Sequence, residues 1–316
     1  MSSSAITATT APPVLVAGDG EDVIAVDHLT KRFRSVTAVD DLSFALKHGT
    51  VTGFLGPNGA GKTTTLRMLL GLTRPTQGTA LLFGRHYIDI PNPARRVGAV
   101  LEATDFHPGR SGHDHLLMLA CAAGLPVHRV DEVLAKVSLT EASRRRVGGY
   151  SMGMRQRLGL AASLLGDPEL LILDEPANGL DPEGVHWLRE FLREFASTGR
   201  TVLVSSHVLA EVAQTVDDIV IINAGRLVMV SPLADLLSRS VTGAHVVAPE
   251  AERLHEILLD RQIDSRLMDS HELIASGVTT AEVGEIAGLS GVFLHELSAQ
   301  SSSLEDIFLE LTAKEA

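Results

Sequence analysis

The chain contains little cysteine and few aromatic residues. The first shortage restricts the class of protein, and the second restricts which side chains can fill the core. It has one cysteine, Cys121, among 316 residues, so an intrachain disulfide framework is excluded. This usage is typical of a reducing compartment and favours a cytoplasmic location. Phenylalanine, tryptophan and tyrosine make up 4% of the chain, so we expect aliphatic side chains to fill the core. Cys121 stands among alanines and leucines, and we interpret it as a small buried apolar residue.

The chain also lacks an excess of basic charge and any long apolar run. Lysine and arginine number 27 against 39 aspartates and glutamates, which gives a formal net charge of −12. Broad nonspecific binding of nucleic acid needs clustered positive charge, so this balance argues against a nucleic-acid partner. No uninterrupted apolar run approaches the roughly 18 residues that span a bilayer. The N-terminus has no basic region followed by an apolar one, so we predict no secretory signal.

The most specific motif is a glycine-rich turn between an apolar run and a helical pattern. Val51–Leu55 predicts a buried strand, and Thr64–Leu70 predicts the first turns of a helix. Strand, glycine-rich turn and helix form the setting of a phosphate-binding loop, whose N–H groups point inward at the positive end of a helix. Lys62 would contact the β- and γ-phosphates, and Thr63 would contact Mg²⁺. The predicted nucleotide-binding residues here are Gly56, Pro57, Asn58, Gly59, Ala60, Gly61, Lys62, Thr63 and Thr64.

The order of apolar patterns predicts an α/β protein with a second, smaller domain. Residues 1–21 are mostly small and polar, and we expect a disordered tail there. Over residues 22–240, strand patterns alternate with helical ones, which favours a sheet with helices on its faces. Residues 241–316 follow the order strand, helix, strand, strand, helix, strand, helix, which indicates a small α+β accessory domain. Ahead of the phosphate loop, an antiparallel meander of three strands is expected over residues 23–26, 29–33 and 38–46.

Two carboxylates and a histidine follow two further apolar runs. Asp174 and Glu175 end one run, and His207 comes soon after the next. Ligands of open α/β sheets bind at the carboxyl ends of strands, so we expect these side chains beside the phosphate loop. Asp174 would then contribute to the shell of Mg²⁺, and Glu175 would orient and deprotonate an attacking water. His207 would hold the γ-phosphate or steady that water, and a purely structural histidine is the alternative.

Taken together, these motifs resemble the nucleotide-binding subunit of ABC transporters over about residues 23–235. The resemblance also uses Tyr150–Arg157, Gly179–Pro182 and Ser205–His207. It implies an α/β fold of the phosphate-loop (P-loop) NTPase class and ABC type. Such a cassette has a mixed sheet with flanking helices, an antiparallel β subdomain and a helical subdomain, and here the small α+β C-terminal domain is added.

The resemblance also implies roles that the residues alone do not define. Two cassettes would meet head to tail, with each ATP between the phosphate loop of one and the signature segment of the other. Ser151 and Gly153 would donate to the γ-phosphate across this homodimer. Asp181 falls in the segment that links the two ATP sites of this homodimer. Phe33 falls where the family stacks an aromatic ring on adenine, although from the sequence alone it could be an ordinary strand residue.

Two positions depart from the usual pattern of the family. Met152 stands where a glycine is common in the signature, which would crowd the approach to phosphate. Glu102 stands where the family usually has a glutamine that contacts Mg²⁺ and senses the membrane subunit, and a carboxylate there would still bind magnesium. Both departures, and the C-terminal segment Leu304–Thr312, are similar to the subclass that serves drug or antibiotic exporters.

The resemblance therefore implies an ATPase that powers export of a drug or antibiotic-like compound through a separate membrane-spanning permease. The chain would lie at the cytoplasmic face of the membrane, held by that permease through the region 102–118. Export, as opposed to import, rests on the resemblance. One alternative is an ABC ATPase that acts on ribosomes or nucleic acid, although such relatives typically carry paired cassettes or long coiled coils. Another is a weakly catalytic, nucleotide-gated regulatory module, which Met152 and Glu102 suggest.

Overall fold

The computed structural model describes residues 22–101, 106–238 and 242–301, and the chain divides into two compact units between Pro232 and Leu233. Glu102, the tail over residues 1–21 and the segment Leu304–Thr312 lie outside the described residues. Within the ranges above, none of the helices combines the length and the apolar character that a membrane span requires.

The first unit contains two sheets, built from short apolar runs. Their strands are β1 (Asp22–Phe33), β2 (Val36–Lys47), β3 (Val51–Leu55), β4 (Gln77–Leu82), β5 (Val97–Val100), β6 (Leu170–Leu173), β7 (Thr201–Ser206), β8 (Asp218–Asn223) and β9 (Arg226–Pro232). The larger sheet has the order β5-β6-β7-β3-β8-β9, and all its pairs are parallel except β8-β9. Every residue of β3, β6 and β7 is buried, as expected for central parallel strands covered on both faces.

The second sheet of this unit is antiparallel, with the order β2-β1-β4. The expectation of separate strands over 23–26 and 29–33 was wrong, because both belong to β1. A bulge between Val26 and Leu29 joins them, and His28 within it has a left-handed φ of 46°. Because a bulge adds an unpaired residue, it breaks the alternation of apolar and polar residues without ending the strand.

The helices of this unit are α1 (Lys62–Leu69), α2 (Gly112–Ala122), α3 (Arg129–Lys136), α4 (Met152–Leu164), α5 (Pro182–Ser197) and α6 (Leu209–Val212). Short 3-10 turns lie at Tyr87–Asp89, Pro93–Arg95 and Val147–Gly149. Three of the helices begin at a side-chain cap. Ser111, Ser151 and Asp181 accept hydrogen bonds from the backbone N–H three residues on. Pro182 occupies the first turn of α5, where its missing N–H is not needed.

Cys121 is exposed on α2, so its interpretation as a buried residue was wrong. Leu116 and Ala120 form the buried face of this helix. Cys121 is one position beyond Ala120, and each residue turns about 100° around a helix, so its side chain leaves that face. Apolar neighbours in the sequence are therefore not its neighbours in space.

The second unit has the elements α7 (Leu233–Ser238), β10 (Thr242–Val247), α8 (Ala251–Asp260), β11 (Ser265–Leu267), β12 (Glu272–Ser276), α9 (Thr280–Leu289) and β13 (Glu296–Ser301). From β10 onward the order is as predicted, and the predicted helix over 302–313 lies outside the described residues. Its antiparallel sheet has the order β11-β12-β10-β13 and packs against both longer helices. Thr279 and Glu282 form a capping box that starts α9, and the N–H of Thr279 holds the pKa of Glu282 below its usual value.

Candidate nucleotide-binding and hydrolysis site

The glycine-rich loop makes a tight turn from β3 into α1. Gly61 has a φ of 102°, and a Cβ there would lie 2.4 Å from the carbonyl oxygen of Ala38. A Cβ on Gly56 would lie 2.5 Å from the carbonyl oxygen of Ile222. Only glycine fits these two positions, for conformational and steric reasons. The loop therefore leads directly to the first turn of α1, whose N–H groups have no acceptor within the helix and suit a bound phosphate.

Lys62 is the cation of this loop, and it is almost fully buried. Its Nζ donates to the carbonyl oxygens of Gly56, at 2.7 Å, and Pro57, at 3.3 Å. The same Nζ lies 3.2 Å from Glu175 Oε1. A buried charge must be paired, and here the Glu175 carboxylate neutralises it while two loop carbonyls accept its hydrogen bonds. This buried positive charge is one with which an anionic phosphate would pair.

Thr63 and Asp174 bring a hydroxyl and a carboxylate together at the start of α1. Thr63 Oγ1 donates to Asp174 Oδ2 over 2.7 Å, although the two residues are 111 positions apart. Mg²⁺ prefers oxygen ligands and is usually held by one or two carboxylates together with phosphate oxygens and water. The Thr63 hydroxyl and the Asp174 carboxylate, beside a phosphate loop, are oxygen ligands that fit this ion. Glu102, the third predicted ligand, lies outside the described residues.

Glu175 lies between the phosphate loop and the end of β7. While its Oε1 contacts Lys62, its Oε2 lies 2.9 Å from His207 Nδ1. Its backbone has a left-handed φ of 47°, which is uncommon for a residue with a side chain. The structure thus brings Lys62, Thr63, Asp174, Glu175 and His207 to one edge of the sheet, where β3, β6 and β7 end.

Sequence reasoning gave Ser205 no role of its own, although its hydroxyl contacts both acidic residues. Ser205 Oγ donates to Asp174 Oδ1 at 2.5 Å and accepts the N–H of Glu175 at 2.9 Å. The parallel register places Leu173 opposite Val204, so the next residue of each strand lies side by side. The pairing register of β6 and β7 was the signal that could have identified Ser205 as a neighbour of Asp174. A cleft of about 240 Å³ also has two lining residues that were not predicted, Ala38 and Asn178.

The signature segment, Tyr150–Arg157, leads into α4. Ser151 is exposed, and its Oγ accepts the N–H of Met154 at 3.2 Å. Neither Ser151 nor Gly153 is among the described residues that line the phosphate cleft of the same chain. Met152 is half exposed, and its thioether covers Gly179, where an added Cβ would lie 2.3 Å from the sulfur. Met152 therefore joins the start of α4 to the loop that precedes α5.

Asp181 and Phe33, the remaining predicted residues, lie at the ends of elements. Asp181 Oδ1 accepts the N–H of Gly184 at 2.8 Å and so caps α5. Phe33 ends β1, and 48% of it is exposed. Lys31 Nζ lies 4.8 Å from the centroid of its ring, within the range of a cation–π contact. An aromatic face at a strand end, beside a cation, suits stacking with a base.

A glycine-rich loop between a buried parallel strand and a helix, with a lysine, a hydroxyl and two carboxylates at one sheet edge, defines the phosphate-loop class of nucleotide hydrolases. A family model described as ABC transporter matches residues 39–178. The chain belongs to this family, as an ATP-binding subunit, and its members are ATPases. A second model, described as a domain of unknown function, matches residues 242–305.

Similar proteins are found over nearly the whole chain. It is 36% identical over 297 residues to the bacitracin transport ATP-binding protein BcrA of Bacillus licheniformis. That alignment covers 92% of this chain and 97% of the relative. It is 34% identical over 312 residues to the Nod factor export ATP-binding protein I of Ralstonia nicotianae, covering 93% and 94%. A solved structure of an ATP-binding subunit of an ABC transporter has 28% identity and a TM-score of 0.62 over 69% of this chain and 92% of that one.

These comparisons confirm the predicted family and the predicted fold class. ATP-binding subunits of ABC transporters bind ATP, work with membrane permeases and dimerise. Similarity to transport proteins over more than 90% of the chain does not favour the alternatives, an ATPase of ribosomes or nucleic acid and a regulatory module.

Proposed function

We propose that residues 22–240 form a cassette that hydrolyses ATP to export an antibiotic-like compound, and that residues 241–316 are an accessory domain. The convergence of Lys62, Thr63, Asp174 and Glu175 supports the hydrolysis, because each supplies a group that phosphoryl transfer requires. The bacitracin transport relative supports the class of compound. A separate permease would hold the chain at the cytoplasmic face of the membrane, through the region 102–118.

The phosphate loop would bind the triphosphate of ATP. Backbone N–H groups from Asn58 to Thr64 surround the phosphates, and Lys62 turns from Glu175 Oε1 and the loop carbonyls to the β- and γ-oxygens. Phe33 stacks on the adenine with its exposed face. Thr63, Asp174 and Glu102 would hold Mg²⁺, which when bound neutralises charge on the phosphate oxygens.

Glu175 is the proposed general base. Once Lys62 binds phosphate, the carboxylate of Glu175 is free to accept a proton from the attacking water. The water oxygen then bonds to the γ-phosphorus as the bond from that phosphorus to the bridging oxygen breaks, which yields ADP and phosphate. His207 Nδ1, 2.9 Å from Glu175 Oε2, orients this carboxylate and steadies the γ-phosphate.

A second copy of the chain would complete each site. Ser151 and Gly153 lie at the N-terminal end of α4, where a helix favours an anion, and Ser151 is exposed. In a head-to-tail homodimer they face the γ-phosphate held by the partner. Asp181, at the start of α5, lies in the segment that joins the two sites.

Export can be tested with bacitracin as the probe. The chain and the membrane subunit that co-purifies with it would be expressed together in bacitracin-sensitive cells. We expect the concentration of bacitracin that stops growth to rise at least fourfold with the wild-type chain, and to return to its starting value with Lys62→Ala. Lys47→Ala, at an exposed end of β2, is the control and should keep the resistance. Equal sensitivity with the wild-type chain and with Lys62→Ala would contradict bacitracin-like export.

A further inference from the structure

We propose that the hydroxyl of Ser205 is the positioning group for hydrolysis, because it sets the Asp174 carboxylate and the Glu175 backbone together. This inference rests on the proposed function, since it concerns the same site. Ser205 touches neither the phosphate loop lysine nor His207 by any hydrogen bond that the described residues show. It would therefore act through the two acidic residues.

The hydroxyl defines which oxygen of Asp174 faces the phosphate loop. Ser205 Oγ donates to Oδ1 at 2.5 Å, while Thr63 Oγ1 donates to Oδ2 at 2.7 Å. With both oxygens bonded, the plane of the carboxylate cannot turn. Oδ2 is thereby held toward Thr63, the other residue suited to Mg²⁺. Groups that orient a ligand of a metal commonly change metal affinity or activity by about 10–100-fold when they are removed.

The same oxygen atom also holds the backbone at Glu175. It accepts the Glu175 N–H at 2.9 Å, at a residue with a left-handed φ of 47°. Strained residues of this kind persist where the surroundings fix them, and they cluster at active sites. The bend directs the Glu175 side chain between Lys62 and His207, each of which lies within about 3 Å of one of its oxygens.

A serine is suited to this position by its chemistry. A hydroxyl can donate one hydrogen bond and accept another at the same time, which matches a carboxylate on one side and an N–H on the other. Ser205 is fully buried, so solvent cannot replace either bond when the hydroxyl is removed. An apolar residue there would leave Asp174 free to rotate and Glu175 without its partner.

The test compares Ser205→Ala with Ser205→Thr, which keeps the hydroxyl. Isothermal calorimetry would measure ATP affinity with Mg²⁺ and in EDTA, and steady-state assays would give kcat, KM and the Mg²⁺ concentration for half activation. For Ser205→Ala we expect kcat to fall about 30-fold and half activation to need about tenfold more Mg²⁺. ATP affinity in EDTA should change less than threefold. Ser205→Thr should restore kcat to within about threefold of the wild type.

The control is Ser163→Ala, which removes another buried serine hydroxyl, bonded to the Leu160 carbonyl in α4. It should keep the wild-type Mg²⁺ response. If Ser205→Ala does not fold, Ser205→Cys serves instead, because a thiol of similar size is a weaker donor. A wild-type Mg²⁺ response in the folded variant would overturn the role of Ser205, as would an equal loss of ATP affinity in EDTA. A wild-type chain without ATP affinity would instead overturn the proposed function.

Discussion

The two parts of the proposed ATP site, the phosphate-loop edge and the signature segment, differ in how far the chain itself satisfies their polar groups. At the phosphate-loop edge, Lys62 forms an ion pair with Glu175, Thr63 donates to Asp174, and Lys62 is only 7% exposed. At the start of α4, Ser151 is exposed and Met152 is half exposed. The polar groups of the first part bond to one another within the chain, whereas Ser151 of the second part is exposed. This difference agrees with a site that a second copy completes.

Replacing Glu175 should have the largest effect on turnover. Glu175→Gln removes the base but keeps the size of the side chain, so we expect kcat to fall at least about 100-fold, as for loss of a general base. ATP binding should remain, because Lys62 and the loop are unchanged. Phosphate release and ATP calorimetry on the purified variant check both points. Turnover within a few-fold of the wild type would remove Glu175 from its assigned role.

Gly61→Ala should damage the phosphate loop through its backbone. The new Cβ would lie 2.4 Å from the Ala38 carbonyl oxygen, at a φ of 102°. We expect a loss of about 2 kcal/mol in the free energy of unfolding and at least a tenfold loss of ATP affinity. Urea titration measures the free energy of unfolding, and calorimetry measures the ATP affinity. Gly124→Ala is the control, because its φ of 63° is strained but a Cβ meets nothing within 4 Å. It should destabilise less and keep ATP affinity, and equal losses in both variants would contradict a specific role for the loop.

Ser151→Ala separates capping from catalysis in the signature segment. Loss of the cap on α4 should cost about 1 kcal/mol, and loss of the donor to the partner's phosphate should lower kcat about tenfold, as for a hydrogen bond to a charged group. Thr279→Ala removes the cap of α9 in the second unit and should destabilise to a similar degree. It should leave kcat unchanged. If Ser151→Ala and Thr279→Ala had the same kcat, the only role of Ser151 would be to cap α4.

The smallest effect is expected for Met152→Gly, which gives the residue more common in the family. The substitution removes the thioether over Gly179 and opens the approach to the α4 N-terminus. We expect kcat to rise about threefold at saturating ATP, since the dimer closes with less obstruction. Met118→Gly, at another exposed methionine, is the control and should not raise kcat. A fall in kcat for Met152→Gly would show that the contact with Gly179 supports turnover.

Much of this architecture could be predicted because its signals are local. The phosphate loop was predicted from a strand, a glycine-rich turn and a helix that follow one another, and Asp174 and Glu175 were predicted from the end of the apolar run that forms β6. The features that were not predicted involve contacts between residues that are far apart in the sequence. Ser205 contacts Asp174 only because β6 and β7 pair in register, and β1 continues through a bulge that interrupts its pattern. Residue types alone do not specify either feature.

The shared site is tested most directly by the mass of the Glu175→Gln chain in solution. In sedimentation velocity with saturating ATP and Mg²⁺, we predict a homodimer with one ATP per chain, and a monomer when EDTA replaces Mg²⁺. A chain that binds ATP with Mg²⁺ and still sediments as a monomer would contradict a site built from two copies.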